Sequence, residues 1–187
     1  EFALIDPRIQ RAFLIAMGKA HTAWSIGLSH LQRQAIYQDP HWMSGWYTAE
    51  APPSQGLSLA RQIGMMTYRS PEDYEAKFGR DIREITNHPY YQVESYLDYQ
   101  GQKLNKRFDA LSYERLTRSM DTHDISRDRG SFKEVAQQLT IPIHVVGILS
   151  DALYPISEQK DLAQLLPNGQ YTALASPYGH DAFLIEV

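Results

Sequence analysis

The chain has 187 residues, enough to bury a sizeable core as one domain or as one domain with a cap. Apolar residues make up 43% and charged residues 21%, the balance of an ordinary globular protein, and a formal charge of −4 argues against a broad nucleic-acid footprint. Cysteine is absent, which excludes disulfides, zinc–thiolate centres and a cysteine nucleophile and suits a cytoplasmic location; no signal peptide is read, and the longest apolar run, Ala12 to Met17, is too short to cross a bilayer.

Residues 1–5 read as the tail of a helix stopped by Asp6-Pro7. Phe2-Ala3-Leu4-Ile5 begins in the middle of an apolar pattern, and Val187 follows Phe183-Leu184-Ile185 without a stop signal. Both ends are expected to be cuts in a longer chain. Ala12 to Met17, closed by Gly18, is continuously apolar and predicts a strand buried on both faces of a parallel sheet.

From Trp24 to about Asp128 the pattern turns helical. One helix covers 24–38 and is halted by Asp39-Pro40; 41–55 is a loop. A second helix covers about 57–69, with Leu59, Ile63 and Met66 as its inner stripe. Ser70-Pro71-Glu72-Asp73 opens a third, with Ser as N-cap, Pro at the first helical position and acids in the first turn; Gly79 ends it. A long helix from about Tyr91 to Phe108 carries Val93, Leu97, Gln100, Leu104 and Phe108 inward, with Gly101 costing about 1 kcal/mol relative to alanine. Asp109 caps a helix through Met120.

After a polar joint at 126–130, Phe132, Val135, Ala136 and Leu139 mark a short helix. Pro142 leads into a strand, Ile143–Ile148; Ser157 caps a helix ending at Leu166; Pro167-Asn168-Gly169 turns into a strand at 170–175. The fold class is therefore α/β, with a long helical insert over a sheet edge. The expected divisions are 1–23 and 129–187 for the sheet-bearing core and 24–128 for the cap.

The chemistry gathers after the last two strands. Asp151 follows the strand Ile143–Ile148, and His180, 29 residues later, follows the next strand within Tyr178-Gly179-His180-Asp181. Open α/β sheets place their sites at the carboxyl ends of such strands. An acid there can hold an imidazole in the tautomer that takes a proton from a hydroxyl. A loop acid and a helix-start histidine would give the same spacing. Arg61 and Tyr68, seven residues apart, fall within about 20° of each other on one helix face and could hold a carboxylate, or form a plain surface pair. The other histidines (His21, His30, His41, His88, His123, His144) show no metal-ligand spacing. His144 reads as a hydrogen-bonded core residue, and Asp121-Thr122-His123-Asp124 as the tie of a helix end. No serine sits in a Gly-x-Ser-x-Gly elbow: Gly27-Leu28-Ser29-His30 and Gly56-Leu57-Ser58-Leu59 both lack the closing glycine.

Several segments, in order, resemble the homoserine O-acetyltransferase family of the α/β-hydrolase fold. They are Arg33-Gln34-Ala35-Ile36 with Asp39-Pro40, Gly56 to Arg61, Thr67-Tyr68-Arg69-Ser70, Phe78-Gly79-Arg80, and Val93 to Leu97 with Tyr99-Gln100-Gly101. Arg107 to Ala110, Leu116-Thr117-Arg118, Asp121 with His123-Asp124, and Tyr178 to Leu184 complete them. The resemblance implies transfer of an acetyl group from acetyl-CoA, through a serine, to the hydroxyl of L-homoserine. It implies Asp151 as triad acid, His180 as general base, Arg61 and Tyr68 on the substrate carboxylate, and Asp181 on its ammonium group. It implies acetyl-CoA as co-substrate with no bound cofactor, and a homodimer formed through the cap. The family's elbow, oxyanion hole and first strands precede what corresponds to Glu1, so the chain is expected to be a C-terminal half, inactive alone, with an unpaired sheet edge. Alternatives are a succinyl donor, serine as acceptor, an esterase of the same fold, or a non-catalytic helical interaction module.

Overall fold

The computed structural model describes residues 1–186; Val187, at the end of the expected 129–187 segment, lies outside them. A short helix α1 (Phe2–Ile5) precedes strand β1 (Ala12–Ile15). Helices α2 (Ala23–Tyr37), α3 (Ser54–Tyr68) and α4 (Pro71–Phe78) follow, then a hairpin of β2 (Ile82–Ile85) and β3 (Pro89–Tyr91), then α5 (Gln92–Asn105) and α6 (Ala110–Asp121). The chain closes with α7 (Phe132–Gln138), β4 (Ile143–Ile148), α8 (Ile156–Leu165), β5 (Gly169–Leu174) and a last turn of helix, α9 (Ala182–Ile185).

The apolar runs at 12–15 and 143–148 are strands of one parallel sheet with the third strand at 169–174, in the order β1-β4-β5. β4 is central, and its register runs from Ile143 opposite Gly169 to Ile148 opposite Leu174. On one face Ile143 and Val145 pack against Ala136 and Leu139 beside α7 and against Leu162, Ala163 and Leu166 around α8. Among the described residues β1 pairs with β4 alone and leaves Phe13 66% exposed. His144 belongs to this more open face rather than to the core: its Nε2 lies 2.8 Å from Thr172 Oγ1, and its ring stacks on Phe13. Alternation explains this, because neighbouring strand residues point to opposite faces.

The helical segment packs through small residues. A Cβ on Gly56 would lie 2.7 Å from the carbonyl oxygen of Ala35, and one on Gly101 would lie 2.8 Å from that of Ser58. The two glycines let α3 approach α2 and α5 backbone to backbone, around Ile36, Leu57, Ala60 and Leu104. This close approach offsets the propensity penalty of Gly101, and it corrects the expected stripe of α3. Leu59 and Met66 are about half exposed, at 49% and 52%, while Gly56, Leu57, Ala60, Gly64 and Met65 are buried. The buried face is shifted around the helix from the expected stripe and mixes Leu57 and Met65 with the small residues Gly56, Ala60 and Gly64. Phe108 likewise lies beyond the end of α5 and is exposed, whereas Leu104 is buried.

Helix ends follow their caps. Ser70 Oγ accepts the Asp73 N–H at 3.0 Å, Asp109 accepts that of Ser112 at 2.7 Å, and Ser131 forms a capping box with Glu134. Ser157 is not a cap: α8 begins one residue earlier, after Pro155. Tyr91 precedes α5 instead of starting it, its N–H donating to Glu94 Oε2. The hairpin of β2 and β3 was not expected; Ile82 and Ile85 are exposed on it, so it leaves no burial pattern to read.

Candidate active site

β4 delivers the acid. After Ile148 the chain turns, and the Asp151 carboxylate is fully buried. Its Oδ1 accepts the backbone N–H groups of Leu153 at 2.8 Å and Tyr154 at 2.9 Å. Its Oδ2 lies 2.9 Å from His180 Nδ1. An ionised carboxylate can only accept, so Nδ1 carries the proton and Nε2 presents its lone pair to the cleft.

β5 delivers the histidine through a tightly laced turn, Gly179–Asp181. Ser150 Oγ donates to the carbonyl of Ser176 at 2.6 Å and accepts the N–H of Gly179 at 2.9 Å. From the helical side, buried Ser70 donates its hydroxyl to the carbonyl of Pro177. Gly179 has φ +64°, and a Cβ there would sit 2.7 Å from the backbone of Arg69 and Ser70. The glycine before the histidine is therefore required twice, by its left-handed backbone and by the closeness of the α3–α4 junction. Three aromatic rings surround the imidazole: Tyr154 and Phe183 at 5.5 Å and Tyr68 at 6.2 Å between centroids.

The cleft at this point has a volume of about 380 Å³, and Arg61, Tyr68, His180 and Asp181 all line it. This is the size of a small-molecule site. The Arg61 guanidinium lies 5.1 Å from the centre of the Tyr68 ring. Among the described residues no carboxylate lies within 4.0 Å of Arg61, whereas Arg69 holds Asp73 at 2.9 Å and reaches Asp181 at 3.5 Å. Burial pushes the carboxyl of half-buried Asp181 up, and the nearby Arg69, His180 and Arg61 charges offset this only in part. Burial also raises the Tyr68 phenol, so it stays protonated at neutral pH.

The sequence expectations thus come together in one place: His180, Arg61, Tyr68 and Asp181 line one cleft, and buried Asp151 is hydrogen-bonded to the imidazole, although α3 and the last strands lie far apart in the chain. His21 and Tyr154 also line this cleft without having been singled out for it, and a buried pair lies beside them. His21 lies 3.1 Å through Nδ1 from Asp121 and 2.8 Å through Nε2 from the Tyr154 hydroxyl, and Arg33 holds the other Asp121 oxygen at 2.6 Å. Asp121 therefore does more than tie a helix end. The one available signal was that Arg33 and Asp121 both lie in segments carrying the family likeness. Among the described residues no group of three or more His, Cys, Asp or Glu could hold a metal, and no helix is long and apolar enough to cross a membrane.

The sequence model of the family described as alpha/beta hydrolase fold matches residues 2–187. The chain belongs to the α/β-hydrolase fold family. Among α/β-hydrolases it is similar to the homoserine O-acetyltransferase of Chlorobium chlorochromatii (strain CaD3), at 49% identity over 189 residues, covering 100% of this chain and 53% of that protein. Its fold matches the crystal structure of homoserine O-acetyltransferase from Bacillus anthracis with a TM-score of 0.89 at 21% identity, over 99% of this chain and 52% of that one. It also matches esterase E22, with a TM-score of 0.85 at 15% identity, over 97% of this chain and 52% of that one. The chain spans about half the length of the curated relatives it matches. The likeness read from the motifs therefore extends over the whole chain. The two structural matches carry the α/β-hydrolase fold alone, since a transferase and an esterase share it.

Proposed function

We propose that this chain supplies the acid–base and acceptor-binding half of an acyltransferase that moves an acetyl group from acetyl-CoA to the hydroxyl of L-homoserine. The observation that carries the reading is one cleft lined by a carboxylate-oriented imidazole, a guanidinium with no carboxylate partner and, apart from it, an acid. A zwitterionic amino acid needs one cation and one anion held apart. Similarity at 49% to a protein named for this activity supports it.

In the proposed chemistry a serine from a segment outside this chain gives its proton to His180 Nε2 and attacks the thioester carbonyl. The C–S bond breaks, and the imidazolium returns the proton to the leaving thiolate. The homoserine hydroxyl then gives its proton to Nε2 and attacks the acyl-enzyme ester. That ester's C–O bond breaks, and the proton goes back to the serine oxygen. Asp151 holds the ring and stabilises its charged form in both halves. Arg61 and Tyr68 take the acceptor's carboxylate, and Asp181 takes its ammonium group. In this reading the helices that line the cleft keep water from the acyl-enzyme, which favours the acceptor hydroxyl over hydrolysis. With the reading go a cytoplasmic location, no bound cofactor, and a homodimer formed through the 24–128 segment.

The test begins with the coding frame upstream of Glu1. A strand followed by Gly-x-Ser-x-Gly, together with acetyl-CoA-dependent acetylation of homoserine by the parent protein, is the expected result. Preference for succinyl-CoA, or for serine, would move the reading to a neighbouring transferase. Plain ester hydrolysis is the second reading, since an imidazole oriented by a carboxylate beside a cleft serves it equally. Under it Arg61→Ala would leave turnover almost unchanged.

A further inference from the structure

Tyr154 meets the dyad in three ways. Its backbone N–H donates to Asp151 Oδ1 at 2.9 Å. Its ring leans on the His180 imidazole, with centroids 5.5 Å apart and planes inclined by 38°. Its hydroxyl lies 2.8 Å from His21 Nε2. The hydroxyl is thereby engaged with the helical segment. Asp121 can only accept, so His21 places its proton on Nδ1, and Nε2 accepts the O–H of Tyr154. Burial, followed by the nearby Glu158 and Asp151 charges, pushes the Tyr154 phenol up to about 12, so it remains a donor through the neutral range.

The anchor beneath His21 is stiff. Asp121 is the last residue of α6, Arg33 lies within α2, and their side chains are 11% and 8% exposed. A buried ion pair that also binds an imidazole leaves that imidazole little freedom. The start of α2 grips the same loop independently, since the indole N–H of Trp24 donates to the carbonyl of Ala152 at 2.8 Å. The 151–155 loop is thus held from the helical segment at three points, since Ser25 Oγ also donates to the carbonyl of Leu153 at 3.5 Å, and one of the three runs through the phenol.

We propose that Tyr154, anchored by the chain His21–Asp121–Arg33, is a positioning residue for the His180–Asp151 dyad. The helical segment sets the tilt of the catalytic imidazole through that phenol, as well as roofing the cleft. The proposal rests on His180 being the general base, and misplacement by a fraction of an ångström at such a base lowers turnover rather than binding.

The test uses the full-length parent protein with Tyr154→Phe, His21→Leu and the double variant. Two reactions are followed, acetylation of homoserine and hydrolysis of p-nitrophenyl acetate, with melting curves to count folded protein. Each single variant is expected to lose about 10-fold in kcat per folded molecule in both reactions, with KM for homoserine within about twofold. The double variant is expected to lose no more than either single, because both remove one link. His21→Gln, whose amide can take the place of Nε2, is expected to regain most of the loss. Unchanged kcat in both singles, losses that multiply in the double, or no rescue by Gln would overturn the proposal. A wild-type parent that hydrolyses the ester but does not acetylate homoserine would sink the acceptor reading alone, and the ester rates would still decide the role of Tyr154. A parent inert toward both would overturn the two together.

Discussion

The molecule places two histidine–aspartate pairs within one neighbourhood, and they differ in whether the imidazole keeps a nitrogen free, the difference on which the proposed role of His180 turns. In the first, Asp151 satisfies its spare oxygen with two backbone N–H groups, and His180 turns Nε2 toward a cleft where, among the described residues, it has no hydrogen-bond partner. In the second, Asp121 spends its spare oxygen on Arg33, and His21 gives Nε2 to the Tyr154 hydroxyl. The same two residue types at similar distances, 2.9 and 3.1 Å, therefore have opposite prospects. What distinguishes them is whether the second ring nitrogen is left available.

The contrast can be broken most forcefully at the acids. In the parent enzyme Asp151→Asn is expected to lower kcat by ~10⁴-fold, because the imidazole loses its tautomer. Asp121→Asn is expected to lose about 10-fold, because it acts on the dyad only through Tyr154. Steady-state rates of the two variants, side by side, check this. Comparable losses would erase the distinction.

Gly179→Ala comes next. It forces a side chain into a left-handed turn and against the backbone of Arg69 and Ser70 at 2.7 Å. A loss of about 100-fold in kcat with a lowered melting temperature is expected, since either the turn or the α3–α4 junction must shift. Arg61→Ala is expected to raise KM for homoserine by about 10- to 100-fold, the worth of a charge-assisted contact, while ester hydrolysis continues. That result would place acceptor recognition in α3 and leave the dyad untouched.

Asp181 sharpens the comparison by pH. Its carboxyl is raised in the folded protein, so folding favours the protonated form, and the ionised form costs stability above its folded pKa. Asp181→Asn is therefore expected to melt higher than the native protein at neutral pH, with the gap closing as pH falls below the ordinary carboxylate range. The same substitution is expected to weaken homoserine binding, which calorimetry on the parent enzyme can read. A native protein that melts higher at pH 7 would contradict the sign. The smallest effect on turnover is expected for Gly101→Ala, which overpacks the α3–α5 crossing and costs about 1–3 kcal/mol of stability without touching the cleft.

Much of this was legible in the chain. Strands β1 and β4 showed as apolar runs, although β1 is not buried on both faces as expected, since Phe13 and Ile15 are exposed; α4 and α6 showed as Ser-Pro-acid and Asp caps, and the dyad as an acid and a histidine after consecutive strands. The misreadings share a cause. Leu59 and Met66 were read as inward because large apolar side chains normally are, yet α3 buries a face on which Gly56 and Ala60, beside Leu57 and Met65, let backbones touch. His144 was read as buried because its strand is apolar, yet it faces the more open side of the sheet. The hairpin of β2 and β3 buries too little to leave a periodic signal.

Local pattern and chemistry by themselves determined the element types, the parallel sheet and the identity of Asp151 and His180 as a candidate pair. These are short-range properties: propensity, capping and alternation act over a few residues. Only the tertiary structure decided which histidine keeps a free nitrogen, that Arg61 and Asp181 face one cleft, and that His21 and Asp121, 100 residues apart, grip a tyrosine beside the dyad. Side-chain partnership across such separations depends on how helices cross and loops close, and spacing along the chain carries no record of it.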